Sequence, residues 1–241
     1  MENIDICLIC KIMERSSSSP GTLSISREIT TLFPDIVIGW LAADLVNSES
    51  NPEIWKLLTA RCDEIAGTMD EESIRRVPGI SAGKQAYRHL GKDPNRYRLS
   101  AEALMRRAAK GKGLYSISSA VDALNLASLS SGITIGGFDA DKIHGDIELG
   151  IGQTGEEFIA IGRGPLNVER LPVYRDKLGV IGNPTSDSER TQITLETKNV
   201  LMLITGFYGN DGISPVLHQL KSLLMNYCNS KVCETGYLGN S

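Results

Sequence analysis

The hydrophobic period of this chain changes once, near residue 132, and that change limits the folds open to it. Upstream, apolar residues recur at helical spacing behind helix start signals: Asn51-Pro52 opens one predicted helix, and Ser100 and Ser119 open two more. Downstream they alternate, and the predicted strands are residues 133–135, 146–151, 157–161, 178–181 and 200–204. Helices followed by a block of strands are typical of an α+β fold, so we expect a layered domain with helices packed on mixed or antiparallel sheets.

Three further segments complete the predicted elements. A β-rich run at residues 36–41 precedes the first of these helices, and a last amphipathic helix begins near Ser214-Pro215. The glycines of Gly152-Gln-Thr-Gly155 suit a tight turn. We therefore expect a hairpin between the strands on either side of it.

A serine run followed by Pro20-Gly21 predicts a flexible break near the N terminus. We expect residues 1–22 to be an N-terminal extension and residues 23–241 to form a single domain, because 241 residues lie within the usual size of one domain. No apolar run reaches the roughly 18 residues of a membrane span, and the first residues lack the pattern of a secretory signal. The cytoplasm is therefore the expected location.

Cysteines and histidines give little support for a metal or redox site. The five cysteines are odd in number and unevenly placed, which favours reduced thiols. Cys7 and Cys10 have the C-x-x-C spacing, but no second pair matches them, and the three histidines lack metal-ligand spacing. Gly79 and Gly83 resemble a phosphate loop with one residue too few between them. We expect neither a metal nor a cofactor.

Charge is distributed unevenly along the chain. Residues 84–112, the basic segment, carry nine basic and two acidic side chains, a net +7, which leaves −11 for the rest of a chain whose net charge is −4. A basic patch on an acidic body can hold a phosphate backbone locally while the body repels other polyanions. The alternative is a solvated helical surface.

Two motif groups inside residues 88–164 carry a resemblance to a known family. The chain reads Val121-Asp122-x-x-Asn125, and then Gly132 to Phe138-Asp139; a later Ile193-x-Leu-Glu196 extends the pattern. This resembles the B-three/four domain of the phenylalanyl-tRNA synthetase β subunit and its freestanding relatives. The looser similarity extends over residues 25–227.

The resemblance implies an activity. In the synthetases this domain hydrolyses the ester of tyrosine wrongly attached to phenylalanine tRNA, because binding alone rejects an analogue with one extra hydroxyl only about a hundredfold. It implies a trans-acting aminoacyl-tRNA deacylase whose partner is the tRNA acceptor end and which needs no cofactor. The implied catalytic residues are Asn125 and Glu196, and the implied substrate pocket contains Leu124, Gly136, Phe138 and Asp139. The expected tRNA-binding residues are Arg98, Arg106, Arg107, Lys110 and Lys112.

Two positions depart from the synthetase pattern. Leu124 stands where the synthetases have threonine, and Gly136 where they have histidine. Both changes remove a polar group, and the glycine also removes a ring. We therefore expect a roomier, less polar pocket that favours an aliphatic or other apolar side chain over tyrosine.

Other interpretations of these residues stay open. Asn125 could cap or bridge buried backbone, Asp122 could order the turn before its helix, and Asp139 with Asp141 could form a turn by hydrogen-bonding their own backbone. Glu196 suits an exposed strand-end carboxylate. The protein as a whole could be a noncatalytic RNA-binding module, or a small-molecule binding protein that uses the pocket without tRNA.

Overall fold

The structure, a computed structural model, describes residues 21–239. Cys7, Cys10 and nearly all of the expected N-terminal extension lie outside this range. The described part contains seven α-helices: α1 (Arg27–Leu32), α2 (Pro52–Thr68), α3 (Glu71–Arg76), α4 (Pro78–His89), α5 (Ser100–Ala109), α6 (Ser119–Ser131) and α7 (Ile213–Tyr227). Its strands are β1 (Leu23–Ile25), β2 (Val37–Asp44), β3 (Ile135–Asp139), β4 (Ile147–Ile151), β5 (Ile159–Ala160), β6 (Gly164–Pro165), β7 (Pro172–Asp176), β8 (Gly179–Asn183), β9 (Ser186–Asp187), β10 (Asn199–Gly206) and β11 (Cys233–Gly239).

The strands form two main sheets and one short ribbon. The four-stranded sheet has the order β11-β2-β10-β3 and is antiparallel throughout. The five-stranded sheet has the order β1-β4-β7-β8-β9, in which β1 and β4 are parallel and the other pairs antiparallel. Together with the helices, these mixed and antiparallel sheets confirm the α+β prediction.

The four-stranded sheet is buried on both faces, because its strands are apolar at successive positions. Odd-numbered residues of β2, such as Leu41, pack in a core with α2, α5, α6 and α7, and we call this side the helix face. Even-numbered residues, such as Ile38 and Trp40, pack in a second core with Leu149 and Ile181 of the five-stranded sheet. We call this second side the cavity face.

The predicted helix boundaries agree with the structure where a capping signal was present. Asn51 accepts hydrogen bonds from the backbone amides of Glu53 and Ile54, and Pro52 occupies the first turn of α2. Gly132 ends α6 in the left-handed region, at φ 71°, which glycine adopts without steric cost. Local chemistry therefore fixes these ends before any packing is considered.

The predicted hairpin at residues 152–155 is wrong. β4 pairs with β7, and β5 pairs with β6. The reason is a close approach: Gly152 donates a hydrogen bond to the Leu171 carbonyl, and a side chain at Gly152 would collide with the Val168 carbonyl, 2.0 Å from its Cβ. The chain after β4 therefore packs against residues 168–171 and does not fold back on β4.

Candidate functional site

A cavity of about 240 Å³ opens at one end of the cavity face. Its walls come from α4, from residues 133–138 at the start of β3, from Tyr174 of β7, from the β8–β9 turn and from residues 203–213. Most of the surface is apolar, with Phe138, Leu203 and Phe207 among the wall residues. An apolar cavity with a few polar groups is the usual form of a small-molecule site.

Two glycines, Gly136 and Gly182, make room for the ring of Phe138, which lines the cavity. A Cβ on Gly136 would lie 2.9 Å from the Phe138 ring, and a Cβ on Gly182 would lie 2.7 Å from the same ring. The ring therefore sits where side chains at these positions would otherwise be. The extra room that was expected at Gly136 is therefore occupied by Phe138.

Asp187 lies beside that ring. Its Oδ2 accepts a hydrogen bond of 3.1 Å from the Gly137 amide, which fixes the carboxyl. Its Oδ1 would be 3.4 Å from a Cβ on Gly136 and 2.8 Å from one on Gly182, and it has no hydrogen-bond partner within the described residues. Burial raises the pKa of Asp187 to about 7, against the smaller opposing effect of the Gly137 hydrogen bond. A carboxyl of this kind can hold or release a proton near neutral pH.

Other polar side chains line the same cavity. The hydroxyls of Tyr174 and Thr205 lie 2.6 Å apart and hydrogen-bond to each other. Asn183 uses its side-chain oxygen to accept from the amides of Thr185 and Ser186, so its Nδ2 points elsewhere; this nitrogen is buried and has no partner in the described part of the chain. The cavity thus combines apolar walls with hydrogen-bonding groups on β7, β8, β9 and β10.

The residues predicted for the substrate pocket lie on both faces of the four-stranded sheet. Gly136 and Phe138 line the cavity, and their role in a substrate pocket stays a prediction. Leu124 lies on the helix face, where its Cδ1 would be 2.5 Å from a Cβ on Gly137, the intervening residue of β3. Because successive strand residues point to opposite faces, Leu124 and Gly136 cannot line one cavity.

Asp139 has a full set of local partners. Its Oδ1 accepts from the Asp141 amide and its Oδ2 from the Thr197 hydroxyl at 2.7 Å, while Lys142 Nζ lies 3.3 Å from Oδ2. These contacts match the turn-capping interpretation. They leave little capacity for a ligand.

Asn125 and Glu196 do not line the cavity. Asn125 is half-buried on α6, and its side chain makes no hydrogen bond to a described residue. Glu196 is exposed in the turn before β10, where a hydrogen bond from Thr194 and the charge of Lys142 hold its pKa below the usual value. Their catalytic roles stay predictions.

Part of the basic segment is structural. Lys84 and Arg106 are buried and both bond the buried Glu102, with Lys84 Nζ 3.0 Å from each carboxylate oxygen and Arg106 Nε 2.9 Å from Oε1. Arg106 also pairs with Glu71 at 2.8 Å, as Lys110 does at 3.4 Å. These contacts fasten α5 to α3 and α4, so Arg106 has little freedom to meet a phosphate.

The other cations of the basic segment stay available. Within the described residues, Arg98, Arg107 and Lys112 have no acidic partner. The Arg107 guanidinium stacks 4.4 Å from the centre of the Tyr115 ring, and Tyr115 is 71% exposed. Arg98 immediately precedes Leu99, which lines the cavity. A cation stacked on an exposed ring is a suitable platform for a nucleobase.

Asp187, Asn183 and Tyr174 were not among the site residues predicted from the sequence. Their short strands carry weak local signals, and only the folded sheet brings them to Gly136. The run Asn183-Pro-Thr-Ser-Asp187 was a visible turn signal, and Gly182 just before it marks a close backbone approach.

The sequence profile of the B3/4 domain matches residues 82–213, more than half of the chain. The chain belongs to the B3/4 domain family. The matched range contains the two glycines, Phe138 and Asp187, as well as the whole of the basic segment. The resemblance inferred from the motifs is therefore confirmed.

A solved structure similar to this B3/4 protein is an N-terminal fragment of the phenylalanyl-tRNA synthetase beta subunit from Pyrococcus horikoshii, with 16% identity and a TM-score of 0.46. The alignment covers 92% of this chain and 55% of that fragment, so the chain spans about half of its length. No curated protein matches the sequence.

Residues 21–239 contain no cluster of potential metal ligands and no helix that is long and apolar enough to cross a membrane. Cys62, Cys228 and Cys233 are buried free thiols, and burial raises the pKa of each. Residues 79–84 lie within α4, so they form no phosphate loop.

Proposed function

We propose that this B3/4 protein is a trans-acting aminoacyl-tRNA deacylase of the cytoplasm. The observation that supports this most directly is the cavity: most of its lining residues lie within the matched range, and it combines apolar walls with a free carboxylate oxygen. The cavity would take the amino acid, and the ester would lie at its mouth. Hydrolysis transfers water to the acyl carbon, breaks the bond to the ribose oxygen and releases a free amino acid.

Helix α5 supports a path for the RNA. Its first residue, Ser100, donates its backbone amide to the carbonyl of Pro184 in the cavity wall. Its last turn carries Arg107, and its ten residues span about 15 Å. A single-stranded acceptor end could therefore meet Arg107 and Tyr115 at one end of the helix and enter the cavity at the other.

The cavity would select by apolar contact. Buried apolar substrate surface contributes about 25 cal/mol per Å², so aliphatic side chains packed on Phe138 and Leu203 bind more tightly than small ones. The Phe138 ring already occupies the space beside Gly136. A substrate side chain as large as tyrosine is therefore disfavoured.

The direct test is a panel of aminoacyl-tRNAs. Purified protein is mixed with each charged tRNA, and loss of the ester is followed with and without protein, in the absence of ATP. We expect faster loss for at least one tRNA charged with an aliphatic amino acid. If no aminoacyl-tRNA loses its amino acid faster with protein, the deacylase is excluded, and tRNA binding in the same panel would then identify a noncatalytic RNA-binding module.

A further inference from the structure

The half-buried Asp187 has one carboxylate oxygen without a partner in the described residues, whereas both oxygens are bonded in the buried acids Glu102, Asp122, Asp139 and Asp176. The Gly137 amide holds Oδ2, and the flanking positions 136 and 182 are both glycine, so Oδ1 is unobstructed by side chains there. No described residue donates to Oδ1. Asp187 lines the cavity, so Oδ1 is free to accept a hydrogen bond from a ligand there.

The charges around the cavity favour a cation. Asp187 and Asp211 line it, and no basic side chain is among its described lining residues. The partial burial that raises the pKa of Asp187 also means that a positive ligand would stabilise the ionised carboxyl. A ligand carboxylate would meet two acids and no counter-charge.

We propose that the cavity binds the amino-acid part of an aminoacyl ester with its α-ammonium on Asp187 Oδ1 and its side chain on Phe138 and Leu203, and that it rejects free amino acids. This inference rests on the proposed function, since it names the form of the substrate. An ester carries the ammonium but no carboxylate. A free amino acid carries both.

The proposal explains how the product leaves. Water attacks the acyl carbon, the ribose oxygen takes a proton and departs, and the new carboxylic acid loses its proton at neutral pH. The product therefore acquires a negative charge close to Asp187 and Asp211. Repulsion of that charge expels it and keeps cellular amino acids from occupying the cavity.

Three small probes test the proposal by calorimetric titration near neutral pH, without tRNA. L-isoleucinamide carries the ammonium and no carboxylate, L-isoleucine carries both, and 3-methylpentanamide carries neither. We expect isoleucinamide to bind at least about tenfold more tightly than either of the others, the factor that corresponds to one charge-assisted contact. The proposal would be overturned if isoleucine bound as tightly as isoleucinamide. It would also be overturned if 3-methylpentanamide bound as tightly as isoleucinamide.

Asp187→Asn removes the charge and keeps an oxygen to accept from Gly137. It should weaken isoleucinamide at least about tenfold and change 3-methylpentanamide by less than about twofold. Glu189→Gln is the matched control, because Glu189 is an exposed acid two residues away that does not line the cavity. If Asp187→Asn binds isoleucinamide as the wild type does, Asp187 is not the anchor.

A measurement on the wild-type protein covers the case in which the variant does not fold. Nuclear magnetic resonance titration of the Asp187 carboxyl should show its pKa falling when isoleucinamide is added and staying constant with 3-methylpentanamide. An unchanged pKa with both probes contradicts the proposal. If isoleucinamide binds selectively but no aminoacyl-tRNA is deacylated, only the proposed deacylase activity is refuted. If aminoacyl-tRNA is deacylated but isoleucinamide binding does not depend on Asp187, only the role of Asp187 as the ammonium anchor is refuted.

Discussion

Two acids in this protein, the fully buried Glu102 and the half-buried Asp187, have opposite surroundings. Glu102, on the helix face, is fully buried and bonded by Lys84 and Arg106. Asp187, on the cavity face, receives one backbone hydrogen bond and no cation. A buried carboxylate with two counter-ions is complete and holds helices together, whereas one with a free oxygen is prepared for a partner that the chain does not supply.

The largest expected effect comes from removing the charge of the complete acid. Glu102→Gln leaves Lys84 buried without a counter-charge, and we expect the free energy of unfolding to fall by about 3–5 kcal/mol. Urea denaturation measures this directly. Glu72→Gln removes an acid from the exposed pair with Arg76 and should cost less than about 1 kcal/mol. Similar losses for the two variants would show that burial of the Glu102 cluster contributes little.

The next effect shows on which face of the four-stranded sheet the ester is hydrolysed. If deacylation occurs at the cavity, Asp187→Asn should lower kcat/KM by roughly 30- to 100-fold, because it removes a charge-assisted contact worth about 2–3 kcal/mol. Asn125→Ala should lower it by less than about threefold, since Asn125 does not line the cavity. Single-turnover ester loss from one reactive aminoacyl-tRNA measures both. The opposite ranking would place the reaction on the helix face, as the family motif implies.

Removing the charge of Asp187 should raise the free energy of unfolding, whereas removing the charge of Glu102 should lower it. The folded pKa of about 7 is above the value near 3.9 of an unfolded aspartate, so the folded state holds the proton more tightly. Stability is therefore lost as pH rises from about 4 to about 7, and an asparagine escapes this loss. We expect Asp187→Asn to be more stable than wild type, with the difference growing by roughly 1–3 kcal/mol between pH 5 and pH 8.

Thermal unfolding at several pH values checks this. A constant difference between the two proteins across that range would mean that Asp187 titrates normally. The free carboxyl would then carry no stability penalty, and its distinction from Glu102 would rest on geometry alone.

Much of the fold could be predicted from the sequence because it depends on local chemistry. Asn51 and Pro52 begin α2, Gly132 ends α6, and most of the alternating segments contain strands, although the strand predicted at 133–135 begins only at Ile135. The hairpin at Gly152 failed because the approach of residues 168–171 determines the path of the chain there. That contact joins Gly152 to residues later in the chain, and the local turn signal at 152–155 contains no information about them.

The site could be predicted only in part. Gly136 and Phe138 came from the family motif, and both line the cavity. The motif also grouped Leu124 with them. Leu124 packs at Gly137, however, and successive residues of β3 point to opposite faces of the sheet, so Leu124 lies on the face opposite to Gly136 and Phe138. Net charge similarly concealed the difference between Arg106, which is paired inside the protein, and Arg107, which is not. Pairing partners depend on tertiary contacts, and a sequence pattern does not record them.

The smallest expected effects concern the stacked pair Arg107 and Tyr115, and they distinguish a charge contact with RNA from base stacking. Arg107→Ala and Tyr115→Ala should each weaken tRNA binding by about three- to tenfold, the lower range for loss of a stacked base. Arg107→Ala should also flatten the plot of log affinity against log salt by about 0.7, the slope of one phosphate contact on a single strand. Tyr115→Ala should leave that slope unchanged because the ring carries no charge. Arg76→Ala, which changes an exposed arginine outside the basic segment, is the matched control and should alter neither quantity.

Unchanged tRNA affinity for both variants would show that the Arg107–Tyr115 stack is only a surface contact. If both variants changed the salt slope equally, the ring would act by positioning the guanidinium and would contact no base.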